Sequence, residues 1–265
     1  MSTYVMSDIH GCYYEFLAML EKIDFSGNDR LIIAGDYIDR GGQSYEMLQW
    51  SEKCPPNVTL LRGNHDEKFS EYVELMLMLD HDEELGTDFS SNEDAIALYR
   101  SVRYFIESNA LTFLDFDLYG TIQKLLTEHN VTLSCLSKWA AIFQKMPYYA
   151  KLEINGRTCI AVHAGYTESA DILGENFDCV EDFYLYAREE SYLLGGIPHG
   201  MIIAGHTPTI ADEKFAYTGG EVFRYYDTEK DCIFYDIDCG CAFRSINCDA
   251  RLACIRLEDE KIFYI

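Results

Sequence analysis

The sequence is short of positive charge. Its 21 lysines and arginines face 45 aspartates and glutamates, a formal net charge of −24. A surface of that sign repels phosphate backbones and anionic lipid headgroups. It therefore excludes a basic nucleic-acid groove and disfavours a peripheral membrane protein. Long apolar runs are also missing, and none approaches the ~18 residues of a membrane span. Residues Met1 to Asp8 carry neither the basic nor the apolar stretch of a secretory leader, so a cytoplasmic protein is expected. Proline is scarce, and the five present mark turns, not a linker. The ten cysteines include no C-x-x-C spacing and read as reduced, mostly buried small hydrophobes. Zinc at the closest pair, Cys239 and Cys241, would need two further ligands, and none is obvious nearby.

What is present is ordinary for a globular chain: 48% apolar and 25% charged residues over 265 positions. That fits one large domain, or a domain carrying an insertion, with core enough to fold without disulfides. Short, continuously apolar runs predict buried strands at Tyr4–Met6, Leu31–Ala34, Val58–Leu61, Thr158–Val162 and Met201–Ala204. Phe16, Met19, Leu20 and Ile23 follow the first of these at helical spacing. Ala150–Ile154, an Asn155-Gly156 turn and Thr158–Val162 read as a hairpin. Cys232–Asp236, Arg251–Leu257 and Lys261–Ile265 close the chain as short β segments.

Composition changes after Glu67. From there to Arg100, ten acidic residues stand against two basic ones, and glycine is nearly absent until Gly156. Tyr72, Leu75, Met76 and Leu79 recur at helical spacing, and further helical patterns run through Ala95–Glu107, Thr121–His129 and Leu136–Met146. The expectation is an α/β core of residues 1–66 and 149–265, interrupted by an all-helical, cap-like insertion over 67–148. The acidic residues of that insertion are most simply solvated helix faces; a lid over a substrate is the functional alternative.

Chemistry concentrates where strands end. Asp8-Ile9-His10-Gly11, Gly35-Asp36-Tyr37-Ile38-Asp39-Arg40-Gly41, Arg62-Gly63-Asn64-His65-Asp66, His163-Ala164-Gly165 and Gly205-His206-Thr207 each follow one of the five buried strands. Ligands of α/β sheets bind beyond the carboxyl ends of strands, so neighbouring strands would bring all five loops together. Three imidazoles, two carboxylates and an asparagine, without a thiolate, are too many ligands for one tetrahedral zinc and suit two hard or borderline ions. Any one of these turns alone is a weak signal. The ordered set of five is not. No serine or cysteine stands where a nucleophile is needed, and neither a P-loop nor a dinucleotide-binding glycine fingerprint occurs.

As a set, these blocks resemble the signatures of the calcineurin-like metallophosphoesterases. The fuller forms Gly35–Gly41 and Leu61–His65 are similar to the PPP-type branch, which holds serine/threonine phosphoprotein phosphatases and bacterial symmetrical dinucleoside tetraphosphatases. The resemblance frames Ser7 to Thr207 and leaves Glu67–Tyr148 outside. It implies a layered α/β sandwich of two mixed β-sheets flanked by helices. It implies two divalent ions, with manganese the expected metal and iron, zinc or cobalt fitting the same donors. Asp8 and His10 would hold the first ion, Asp36 would bridge both, and Asn64, His163 and His206 would complete the second site. His65 resembles the general acid, paired with Asp39; Arg40 and Arg188 resemble phosphate clamps, and Arg62 has a supporting part at most.

Three blocks depart from the eukaryotic phosphatases: Ser7 precedes Asp8 in place of glycine, Asp66 stands where many have glutamate, and Ala164 follows His163 in place of glycine. Arg188, in Leu185-Tyr186-Ala187-Arg188, carries tyrosine where the bacterial block has tryptophan. Electrostatically the assignment is coherent. Two divalent ions bring four positive charges, Asp8 and Asp36 remove two, and the arginines add two, so the site suits a phosphate dianion within an acidic protein. The implied reaction is in-line attack on phosphorus by a hydroxide bridging the ions, with bound water lowered from 15.7 to a pKa near about 7. The leading expectation is hydrolysis of phosphomonoesters, either phosphoserine and phosphothreonine or small phosphate esters. Symmetrical hydrolysis of dinucleoside polyphosphates is the alternative, and a non-catalytic binding protein on this scaffold is the third.

Overall fold

The computed structural model describes residues 1–83, 88–109, 116–174, 176–210 and 218–265. Two five-stranded mixed sheets form its centre. The first runs in the order β10-β9-β1-β2-β3 and the second β4-β5-β6-β8-β7. In the first sheet β1 (Thr3–Met6), β2 (Arg30–Ala34) and β3 (Val58–Leu61) are parallel, while β9 (Ala253–Arg256) and β10 (Lys261–Tyr264) add an antiparallel edge. In the second, β5 (Arg157–Val162), β6 (Gly200–Ala204) and β8 (Cys232–Asp236) are parallel, with β4 (Tyr149–Ile154) and β7 (Phe223–Asp227) antiparallel at the edges. The Asn155–Gly156 hairpin forms as the sequence predicts, with both residues at positive φ.

The sheets pack face to face. Val5, Ile32, Ala34 and Leu61 from the first meet Ala161, Met201, Ile203 and Ile233 from the second in one buried cluster. The opposite face of the first sheet, including Met6, Leu31 and Ile33, is covered by helices. Ile160, Ile202 and Phe234 on the outer face of the second pack under Tyr166, Ile197 and Tyr192. Strands buried on both faces must be apolar at every position, which is why they read as continuous runs. The five site-bearing strands are therefore not neighbours in one sheet. Three lie in one and two in the other, and their loops meet because both parallel sets end at the same edge of the sandwich.

The helices are α1 (Tyr13–Lys22), α2 (Ser44–Glu52), α3 (Asn64–Glu83), α4 (Asn92–Ser108), α5 (Phe116–Thr127), α6 (Leu133–Gln144), α7 (Val180–Tyr186) and α8 (Glu190–Leu193). Helix α3 runs straight through the expected boundary at Glu67, so the helical segment shares its first turn with Asn64 and His65. Its side chains Tyr72, Leu98, Leu125 and Phe143 join the same apolar cluster as Phe16 and Leu31 of the first sheet's outer layer. Four elements escape the sequence reading: α2, α7, α8 and β7. Helix α2 buries Ser44, Met47, Leu48 and Ser51, so two serines on the buried face mask its period. Edge strand β7 buries Phe223 and leaves Arg224 and Tyr226 exposed, a pattern too polar to stand out. No helix among the described residues is long and apolar enough to cross a membrane.

Candidate metal centre

The loops after β1, β2, β5 and β6 and the first turn of α3 meet through main-chain contacts. Gly205 N donates to His163 O at 2.7 Å, His206 N to Asp8 Oδ2 at 3.0 Å, and His65 N to Asp36 Oδ1 at 3.0 Å. Asp36 lies in the middle. His10 Nε2 is 3.3 Å from its Oδ2, and His163 Nε2 is 3.6 Å from its Oδ1. Ligand atoms of Asp8, Asp36 and His163, and separately of His10, Asp36 and His65, fall within 4.8 Å of one another. Asn64 and His206 belong to the second flank: Asn64 Oδ1 is 2.9 Å from His163 Nε2 and 3.1 Å from His206 Nδ1.

These approaches are not ordinary hydrogen bonds. His163 Nδ1 donates to Ala34 O at 3.0 Å, which leaves Nε2 a bare lone pair. That lone pair faces the oxygens of Asn64 and Asp36, acceptor against acceptor. His10 is tied the same way, donating from Nδ1 to Ile38 O at 2.8 Å. Among the described residues, buried Asp8 Oδ1 has no hydrogen-bond partner. Fixed imidazoles with lone pairs turned onto carboxylate and amide oxygens are what divalent cations need, so the donor set fits two ions sharing Asp36. Burial, and next to it neighbouring positive charge, hold the His206 imidazole well below its usual pKa; burial also dominates at His10, so both stay neutral donors. Burial, then the charge of Asp36, pushes Asp8 up to about 7. Burial opposes ionisation of Asp36 too, but surrounding positive charge, that of His65 and Arg40 included, outweighs it and holds that carboxyl well below the usual range.

Holding these groups strains the backbone. Asp8, His10, Asp36, Asp39, Arg40 and His206 all have positive φ, between 46° and 74°. Such conformations cost roughly 1–3 kcal/mol each and persist only where surrounding structure over-determines them. The turns fall on ligand residues and on neighbouring glycines alike, with Gly11 at φ 65° and Gly35 at φ 86°, and Gly63 and Gly205 also serve close approach. A Cβ at Gly63 would overlap Asp36, and one at Gly205 would overlap Asp8 and Ser7.

His65 stands beside the cluster. Its Nδ1 is 2.6 Å from Asp39 Oδ2, and Asp39 N donates to Ser44 Oγ at 3.1 Å. Burial lowers the His65 pKa, but the Asp36 charge and the Asp39 bond outweigh it and raise it to about 9. Arg40 Nη1 lies 2.7 Å from His10 Nε2 and Nη2 lies 3.1 Å from His65 Nε2, with the guanidinium 5.8 Å above the Phe243 ring. Exposed Arg188 donates to Thr207 Oγ1 at 3.1 Å, next to His206; its side chain turns to the site, while Glu190 takes its backbone N–H. Arg62 faces away. It donates to the carbonyls of Phe143 and Gln144 at the end of α6 and to Tyr148 Oη, so it fastens the exit of the helical segment and holds no phosphate.

The sequence reading missed Ser44 and Thr207 as supports. Thr207 was visible as part of Gly205-His206-Thr207; Ser44 opens α2, a helix the sequence does not signal. Tyr186 also lines the rim, its ring at 88° to that of His206 with Lys68 Nζ 6.0 Å from its centroid.

Two convergent candidate ligand clusters sharing one carboxylate lie at the strand ends of a double-sheet α/β sandwich, the arrangement of a metal-dependent enzyme. The calcineurin-like phosphoesterase family model matches residues 1–210, and the chain belongs to that family. It is 46% identical over 67 residues to the symmetrical bis(5'-nucleosyl)-tetraphosphatase of Buchnera aphidicola subsp. Baizongia pistaciae, covering 25% of this chain and 24% of that protein. The counterpart from Enterobacter sp. (strain 638) is 43% identical over the same length, with the same coverage. The chain thus matches about a quarter of these relatives' length. The fold is shared with a protein serine/threonine phosphatase from Saccharomyces cerevisiae (TM-score 0.51, 15% identity, 100% of this chain and 79% of that one). It is shared too with a metallophosphoesterase from Sphaerobacter thermophilus (TM-score 0.50, 14% identity, 100% and 87%).

Proposed function

We propose that the chain is a hydrolase of phosphoester bonds that works with two divalent ions. Asp8, His10, Asp36, Asn64, His163 and His206 hold the ions, with Asp36 common to both. The carrying observation is the set of fixed, proton-free lone pairs facing one another around Asp36. When bound, the ions supply an activated water and Lewis acidity toward the phosphate. The protein supplies the rest. Arg40 and Arg188 approach from two sides to hold phosphate oxygens by charge-assisted hydrogen bonds. His65, oriented by Asp39, gives a proton to the departing oxygen. Manganese heads the metals that fit these donors. Ten free cysteines accord with a reducing, cytoplasmic setting. Residues 67–148 act as a cap on the core of 1–66 and 149–265, fastened at its exit by Arg62.

The substrate class that follows is phosphomonoesters, on phosphorylated serine or threonine or on small molecules. Symmetrical cleavage of dinucleoside polyphosphates is the second reading, favoured by the 46% identity with a symmetrical tetraphosphatase. A non-catalytic role is disfavoured because every ligand position and His65 carries a competent side chain. Purified protein with manganese, offered a phosphopeptide, nitrophenyl phosphate and diadenosine tetraphosphate in parallel, tests these readings. Phosphate release from the first two supports the first, two molecules of ADP from the third support the second, and no turnover with any of them overturns both.

A further inference from the structure

Asp66 has no part in the ligand set, yet it is fully buried and sits one residue beyond His65. Among the described residues no basic side chain forms an ion pair with it. Three main-chain N–H groups hold it instead: Asp36 N and Gly63 N donate to Oδ2, each at 2.9 Å, and Tyr37 N donates to Oδ1 at 3.2 Å. Two of those donors belong to the loop after β2 and one to the loop after β3. Both oxygens accept, which is the pattern of an anion in a nest of backbone amides. Tyr37 doubles the link, its hydroxyl lying 2.9 Å from Ile33 O and 2.8 Å from Leu61 O across the same two strands.

The bond from Asp36 N bears on the centre directly. Asp36 holds a left-handed backbone at φ 56°, and its two oxygens must face opposite clusters. A main-chain rotation at Asp36 would turn both oxygens together. The Asp66 carboxylate takes the N–H groups of Asp36 and of the next residue, and so fixes that rotation. It also draws Gly63, the residue before Asn64, toward the same oxygen.

We infer that Asp66 is a positioning residue that orients the shared carboxylate of Asp36 and the adjoining Asn64 turn, and so sets the affinity for both divalent ions. This rests on the reading that Asp36 serves two ions. Asp66→Asn keeps the shape but turns an amide toward backbone donors. Groups that orient metal ligands typically change affinity by about 10–100-fold when altered.

The test is manganese titration of the metal-free protein by calorimetry, with thermal melts of the same samples. Asp66→Asn is expected to bind both ions at least about tenfold more weakly than wild type, and Asp66→Glu, which keeps the anion, to stay closer to wild type than Asp66→Asn. A purely structural role would lower the melting temperature of the metal-free variant and leave manganese affinity unchanged, and that result overturns the inference. If Asp66→Asn does not fold, Asp66→Glu and Asp66→Gln compare charge with neutrality at equal length, and equal affinities in that pair overturn it as well. Wild-type protein that takes up no manganese overturns both this inference and the metal reading beneath it, whereas normal wild-type uptake with unaltered variant uptake removes this inference alone.

Discussion

Asp39 Oδ2 lies 2.6 Å from His65 Nδ1, and the other Asp39 oxygen has no hydrogen-bond partner among the described residues. The pair is buried, and it fixes which imidazole nitrogen points at the metal clusters. His65→Asn should therefore leave manganese content near that of wild type while lowering turnover by roughly 10²–10⁴. The loss should be smaller for nitrophenyl phosphate, whose leaving group needs little protonation. Metal analysis and kcat on good and poor leaving groups check this, and equal losses on both would remove the proton-donor role.

Arg188 is exposed, but it bonds Thr207 beside His206, so it acts from the site's edge. Arg188→Ala should cost about 2.7–4 kcal/mol of transition-state stabilisation, a factor of about 10²–10³ in kcat/KM. Arg188→Lys should recover part of it, since an ammonium lacks the planar two-pronged contact. A change below about threefold would assign Arg188 to the surface, where an ion pair is worth about 0–1 kcal/mol, and leave Arg40 as the clamp.

Gly205, after β6 of the second sheet, lies against Asp8 and Ser7, which follow β1 of the first, with no space for a Cβ. In Gly205→Ala the new Cβ overlaps the side chains of Asp8 and Ser7, both buried. Overpacking of this kind costs about 1–3 kcal/mol. The expected outcome is a lower Tm together with weaker manganese binding; a lowered Tm with normal binding would mean that Asp8 is not a ligand.

Removing metal should act on stability as well as activity. At a free ion concentration of about 100 times Kd, each site adds about 2.7 kcal/mol to the unfolding free energy. Chelator-treated protein should be inactive and melt several degrees lower, with both properties returning on addition of manganese. Differential scanning calorimetry with and without chelator measures it.

Much of this was legible in the sequence because strand burial and ligand chemistry coincide. Met6, Ala34, Leu61, Val162 and Ala204 end apolar runs, and a polar turn follows each. The pairing of sheets was less visible, since a run buried on both faces reads alike in either sheet. The left-handed backbone at Asp8, His10, Asp36 and His206 was hidden because the residue a sequence marks for such a backbone is glycine, and these are not glycines. Arg62 sits in the same block as Asn64, but its side chain reaches the end of a helix 81 residues onward, a contact no local spacing encodes. Ser44 was invisible for the opposite reason: a serine at the start of a helix is too common to signal the hydrogen bond it receives from Asp39.

The bond from His206 N to Asp8 Oδ2 spans 198 residues of chain. During synthesis the first three strands and the helical segment are complete long before His206 leaves the ribosome. Until then the nascent chain can offer Asp8, His10, Asp36, Asn64 and His163 but not His206. A chain truncated before Gly205 keeps β4, β5 and β6 but loses His206 together with β7 and β8, so the last side chain of the site arrives only with the strands that complete the second sheet.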